Sequence, residues 1–589
     1  MKRDTSQPLL PLRKEKRDDT AYDLYPSFHL LDGSIQNGYE TLAEELILKK
    51  KVILDGYIGV DWEEVIGSLI SLLEKKGCNV ATFNIADFLK PEAEILSLVG
   101  PFLGGDDPIF GYRTDLELLD YYKKEELYNL EWDQNADLNI IYGTGAALTL
   151  MDGFLVYFDV PKNELQYRMR ARAITNLGLS FPKDAKPMYK HFYFVDWVVL
   201  NQEKKRLLPQ MDILVDQQRP KEPTWISGEK LRKGLNRMSK SYFRVRPWFE
   251  PGVWGGQWMK DQFRNLNQNV PNYAWSFEMI VPENGLLFES DETLLEVSFD
   301  MLMYQEKENI LGRAVKRFGD EFPIRFDFLD TFKGGNLSVQ CHPSPEYIKR
   351  EFGENFTQDE TYYILDAEEG AQVYLGFREG VDQHEFKQAL ENSYNTKETL
   401  EVNRFVQKFP SKKHDLFLIP HGTVHCSGTN NLVLEISATP YIFTFKMYDW
   451  QRMDMDGNPR PLNIERAIQN LDFEKKGGYV SENLISKPAI VETGSDWEKI
   501  HLPTHPLHFY DVYRFDFETT VDLITNGQCH VLMLVEGEAL ELKRGDIPPQ
   551  KFHFAETFAV PAATESYTLI NRGRKKAKVI VSFVKDEAC

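Results

Sequence analysis

The stretch NLSVQCHPSPEY (residues 336–347) decides how this chain is read. Its apolar run ends in Gln340, Cys341 and His342, and Pro343 follows directly. Gln340 and His342 stand two apart, so on a β-strand both side chains point to one face and Cys341 to the other. A buried face carrying an amide and an imidazole is either a hydrogen-bonded pair or half of a metal site.

The neighbouring sequence alternates with period two. ETYYILDAEEGAQVYLGF (360–377) and the run from His414 to Trp450 predict short antiparallel strands of a barrel or sandwich, interrupted by a helical insertion over about 382–410. Glu360 opens the first of these runs, and His425 follows a tight turn at Pro420 and Gly422. Two imidazoles, a carboxylate and an amide oxygen form an N/O donor set that suits Zn2+, with Mn2+ and Co2+ as alternatives. Taken alone, each histidine reads as a satisfied core side chain; the joint pattern around Glu360 favours a metal. Cys341 and Cys426 neighbour the two histidines and are expected to pack on the opposite face.

Residues 25–235 have a different rhythm. KVILDGY (51–57) predicts a buried strand, and DWEEVIGSLISLLEKKG (61–77) a helix capped by Asp61 and stopped at Gly77. Repeated strand–helix alternation predicts a doubly wound, mostly parallel α/β sheet. The layout resembles the P-loop nucleoside kinases. The first strand–helix turn, DGYIGVDWEE (55–64), keeps Gly56 and Gly59 but lacks the lysine and hydroxyl residue of a phosphate loop and offers carboxylates instead. The domain is therefore expected to be degenerate, with no nucleotide-binding residues and no ATP binding. Residues 1–24 are expected to be a disordered tail and carry no secretory h-region. Residues 505–589 predict a further β domain.

Composition narrows the partners. A net charge of −21 over 589 residues argues against nucleic acid and anionic membrane surfaces. No apolar run is long enough to span a bilayer. Five scattered cysteines without CxxC spacing fit a reduced, cytoplasmic protein.

From about 240 to 589 the chain resembles the class I mannose-6-phosphate isomerases, which are cupin-fold enzymes. The motifs are RPWFEPGVWGGQW (246–258), WSFEM (275–279), FLDTFKGGNLSVQCHPSPEY (328–347), DETYYILDAEEGAQVYLGFREGV (359–381), IPHGTVHCSG (419–428) and KMYDWQR (446–452). The resemblance implies a metal-binding cupin over 240–500 and a second cupin over 505–589. It implies Gln340, His342, Glu360 and His425 as zinc ligands and a phosphorylated hexose as substrate. The implied reaction interconverts mannose 6-phosphate and fructose 6-phosphate through an enediol(ate). Three positions depart from the family pattern: Asp327 where many members have lysine, Gln358 and Asp359 before the metal carboxylate, and Lys446 in place of an arginine. Lys446 and Glu360 are the catalytic candidates. Arg325, Lys333, Arg378 and Trp254 are the candidates for holding the sugar and its phosphate. The alternative is a carbohydrate-binding or regulatory cupin that keeps its metal without isomerase activity.

Overall fold

A computed structural model describes residues 1–15, 21–455, 457–545 and 547–589. The chain divides into two compact units. One comprises Tyr25–Met238 and Pro282–Glu306 together with the N-terminal stretch from Met1; the other is built mainly from Ser239–Val281 and Lys307–Cys589. No helix among the described residues is long and apolar enough to cross a membrane.

The first unit holds a seven-stranded sheet in which five adjacent strands are parallel. Numbered in chain order, Lys51–Gly56, Val80–Asn84, Leu138–Tyr142, Phe154–Asp159 and Ile213–Asp216 lie side by side as 2-3-1-4-5. Two antiparallel strands, Thr224–Ser227 and Ile35–Asn37, extend the edge. The helix Trp62–Lys75 follows the first strand, with the Asp61 side chain accepting a hydrogen bond from the Glu64 N–H (3.2 Å). Val65, Ile66, Leu69 and Leu73 form its buried stripe. The turn before it is closed from within: Asp55 accepts hydrogen bonds from the N–H groups of Gly145 (2.9 Å) and Ala147 (2.7 Å), which ties this turn to the YGTGAAL segment.

The segment Pro282–Glu306 was expected within the metal-binding domain, and this is corrected. Its hairpin, Gly285–Ser290 with Thr293–Ser298, folds with the first unit. The reason is a set of charge-assisted contacts at the C-terminal ends of the parallel strands. Lys204 donates to Asp159 Oδ1 (3.0 Å) and Ser298 Oγ (2.9 Å), Lys162 pairs with Asp300 (2.6 Å), and the Glu296 N–H donates to Asp216 Oδ2 (3.0 Å).

The disordered-tail expectation is likewise corrected for the described part of residues 1–24; residues 16–20 lie outside the described residues. Leu10 is 1% exposed and packs with Leu287 and Leu294. Arg3 pairs with Glu164 at 2.8 Å. In the second unit, Tyr22 is buried and its hydroxyl donates to Glu278 (2.5 Å).

The second unit is antiparallel throughout its main sheets. A six-stranded sheet runs Leu416–Ile419, Glu360–Ala367, Asn431–Ala438, Ile324–Asp330, Trp275–Met279, Trp248–Glu250. A five-stranded sheet runs Val406–Pro410, Gln372–Phe377, His425–Ser427, Val339–Cys341, Phe445–Tyr448. The insertion appears as the helix Gln383–Thr396, capped by Asp382, followed by the short helix Val402–Phe405. The C-terminal β region begins at Ala489, earlier than position 505, and consists of a six-stranded and a four-stranded sheet around one apolar core.

Candidate metal centre

The six-stranded and the five-stranded sheet each contribute side chains to one buried cluster. Glu360 is the first residue of its strand in the six-stranded sheet, in register between Ile419 and Ser437. Gln340 and His425 are direct partners on antiparallel strands of the other sheet. His342 directly follows the strand Val339–Cys341, and its carbonyl accepts the Gly422 N–H (3.0 Å). Gly422 has φ +75°, and a Cβ there would lie 2.8 Å from the Asn470 carbonyl. The turn that delivers His425 therefore requires glycine.

Glu360 Oε1 lies 2.7 Å from His425 Nε2 and 3.2 Å from His342 Nε2. His342, Glu360 and His425 are all fully buried and have one ligand atom each within 4.8 Å of one another. The Gln340 amide nitrogen lies 3.4 Å from His425 Nε2. The far ring atoms are already held: His342 Nδ1 lies 3.1 Å from the Phe443 carbonyl and His425 Nδ1 2.9 Å from the Thr423 carbonyl. A carbonyl can only accept, so each Nδ1 carries the proton and each Nε2 presents a lone pair to the centre. His342 Nε2 and Glu360 Oε1 have no hydrogen-bond partner in this buried interior. Leaving such atoms unmatched is costly, and a divalent cation among them removes that cost. The donor set fits such an ion. With no ion present, burial acts to raise the Glu360 carboxyl, and protonation of the two imidazoles opposes it and holds the group well below the usual carboxylate range.

Asp327, one of the departures noted in the sequence, lies in a buried row of charged residues beside the cluster. Arg325 and Glu360 both pair with Ser437, so the three share one row on the inner face; Asp327, Glu435 and Tyr362 form the next row. Arg325 donates to Ser437 Oγ (2.8 Å) and pairs with Glu435 and with Asp327 (3.2 Å). Asp327 is pushed up to about 7, by burial first, with Arg325 opposing and Glu360 adding to the rise. Arg325 is thus engaged with protein carboxylates. Tyr362, two residues beyond Glu360, stands edge-on to His425 (5.8 Å), and its buried hydroxyl has no hydrogen-bond partner among the described residues. Sequence reading missed it, although the i, i+2 spacing from Glu360 was the available signal.

Lys446 is half-buried and pairs in register with Gln340, so its side chain shares the ligand side of the sheet. The other expected sugar contacts are not brought there. Lys333 and Arg378 are exposed; the Lys333 N–H donates to Asn430 Oδ1 (3.0 Å) and the Arg378 guanidinium to the Asn403 carbonyl (3.1 Å). Trp254 is 3% exposed and packs edge-on against Trp275 (4.7 Å), so it serves packing. Cys341 and Cys426 are fully buried free thiols, each pushed up by burial.

A family model described as a domain of unknown function (DUF8485) matches residues 38–240. Among curated proteins, YvyI of Bacillus subtilis (strain 168) is 22% identical over 337 residues, covering 56% of this chain and 96% of that protein. ManA, a mannose-6-phosphate isomerase of the same strain, is 25% identical over 232 residues, 38% of this chain and 67% of that protein. The mannose-6-phosphate isomerase of Streptococcus mutans is 27% identical over 224 residues, 38% of this chain and 65% of that protein. A solved mannose 6-phosphate isomerase from Bacillus subtilis aligns with a TM-score of 0.49 at 20% identity, over 58% of this chain and 99% of that one. The chain is homologous to mannose-6-phosphate isomerases over about 38–56% of its length.

Proposed function

We propose that the second unit is a metal-dependent aldose–ketose isomerase that interconverts mannose 6-phosphate and fructose 6-phosphate through an enediol(ate). The observation that carries this reading is the convergence of two imidazole Nε2 atoms and Glu360 Oε1, all buried, with the outer hydrogen bonds of both imidazoles already made. The homology to mannose-6-phosphate isomerases supports the reaction class.

Gln340, His342, Glu360 and His425 would hold the ion, with Zn2+ best suited to the donors and Mn2+ or Co2+ as alternatives. When bound, such an ion supplies Lewis acidity where charge develops on the sugar oxygens. Glu360, fully buried between both imidazoles, holds those rings in place and is not assigned a proton-transfer role. Lys446, across the strand from Gln340, is assigned the movement of the proton between C1 and C2. The test follows mannose 6-phosphate turnover by NMR, with and without chelator. Turnover that stops on chelation and returns with Zn2+ is expected, with Lys446→Met lowering kcat by roughly 100-fold or more while the ion is retained. Absence of turnover by the reloaded protein would overturn the assignment.

One observation favours the alternative, a metal-retaining carbohydrate-binding cupin. Arg325, a candidate for the phosphate, is paired with Asp327 and Glu435. Binding of a sugar without interconversion in the same experiment would select this reading.

For the first unit we infer a degenerate P-loop-like domain that takes no nucleotide. Open α/β sheets bind ligands outside the C-terminal ends of their strands. Glu296, Ser298 and Asp300 of the chain itself lie against that edge.

A further inference from the structure

The C-terminal β region contains a cleft of about 600 Å3 that the isomerase reading does not use. Its origin is a change of chemistry along one sheet face. On the strand Tyr510–Phe517, Phe515 and Phe517 enter the apolar core, while Tyr513 and Asp511, at the same period-two positions, line the cleft. On Ala577–Val584 the inner series ends in Phe583, which pairs in register with Asp511. On His530–Glu536, Leu532 and Leu534 are core residues and His530 lines the cleft. The core thus fills one end of the region and leaves the other open and half-polar.

We propose that this cleft binds a neutral, unphosphorylated sugar. Its volume lies within the range of about 300–1,000 Å3 usual for small-molecule sites. Tyr513, Phe583 and Trp497 supply the apolar surface that a sugar's C–H groups need. His530 is 6% exposed, and its Nδ1 lies 2.8 Å from the Tyr567 hydroxyl, which leaves Nε2 as the ring atom able to meet a hydroxyl in the cleft. Asp511, across Phe583 from His530, adds a carboxylate to the lining, its Oδ2 also 2.9 Å from His501 Nε2. The charge argues against an anionic ligand: the lining carries five carboxylates against two lysines. Both lysines are also engaged, Lys499 over the Tyr513 ring (4.9 Å) and Lys585 with the His505 carbonyl (3.1 Å).

Saturation-transfer NMR on the full-length chain after EDTA treatment tests this site apart from the metal centre. The probes are free mannose, glucose and glucosamine, with mannose 6-phosphate as the anionic comparison. At least one free sugar is expected to receive transfer from the metal-free protein, more strongly than mannose 6-phosphate. Tyr513→Ala and Asp511→Ala, both at partly exposed positions, are each expected to weaken that binding at least tenfold while the near-ultraviolet circular dichroism stays unchanged. The proposal is overturned if none of the three free sugars receives transfer, if mannose 6-phosphate receives more, or if both variants bind as well as the parent protein.

Discussion

Gln340 and His425 stand directly across from each other on antiparallel strands, with the amide nitrogen and ring Nε2 3.4 Å apart. Turned about its amide, Gln340 would present its oxygen to the same centre as the imidazole. It is also the most exposed of the four proposed ligands, at 8%. Gln340→Ala is expected to weaken ion retention by roughly 10–100-fold without abolishing it. Competition with a graded series of chelators measures this, and unchanged retention would remove Gln340 from the ligand set.

Arg325 is the cation that pairs with the buried carboxylates Asp327 and Glu435 beside the candidate metal site. Removing it leaves Asp327 and Glu435 without their cation in an interior where both are nearly inaccessible. Arg325→Met is therefore expected to cost about 3–5 kcal/mol of stability. Urea unfolding reads this directly. A loss below about 1 kcal/mol would show the row to be better solvated than its burial implies.

The gathering of His342, Glu360 and His425 into one buried cluster follows in part from local rules. Gln340 and His342 share a strand face by spacing, and His425 follows a turn that only glycine can make at Gly422. The membership of Pro282–Glu306 was not legible. Its alternation fits a strand in either unit, and its attachment is decided by contacts such as Lys204 with Ser298, far apart in sequence. The N-terminal stretch misled for a similar reason: its charges suggested solvation, while Leu10 packs with Leu287 and Leu294. Trp254, one of the candidates for the sugar, packs edge-on against Trp275, a contact that its own local sequence does not reveal.

The first unit's occupied strand edge predicts its response to nucleotide. Magnesium ATP at millimolar concentration is expected to leave the thermal midpoint unchanged, since a ligand raises stability only when it binds the folded state. A rise of several degrees would show that Glu296, Ser298 and Asp300 yield their place to a nucleotide.

His508 gives a pH signature. It is 1% exposed with both ring nitrogens unpartnered, and burial pushes its pKa down to about 3. Its unfolded value is about 6.5. The unfolded chain therefore takes up a proton that the fold refuses, so the group's contribution is full above pH 6.5 and is lost as pH falls toward 3, at about 1.4 kcal/mol per unit. His508→Leu is expected to lose less stability than the parent between pH 6.5 and 5, seen as a urea-midpoint difference that moves in favour of the variant as pH falls. Other titrating groups, such as Asp55, raised to about 7 by burial, are common to both proteins and cancel in the difference. Parallel curves would contradict the assignment.

Elemental analysis of the purified chain, before and after reloading with Zn2+, tests the account most directly. One divalent transition-metal ion per chain is predicted, falling to background in Glu360→Ala, whose carboxylate lies between His342 and His425. A chain that holds no such ion after reloading, or that holds it equally well without Glu360, would contradict the metal centre and the isomerase reading built on it.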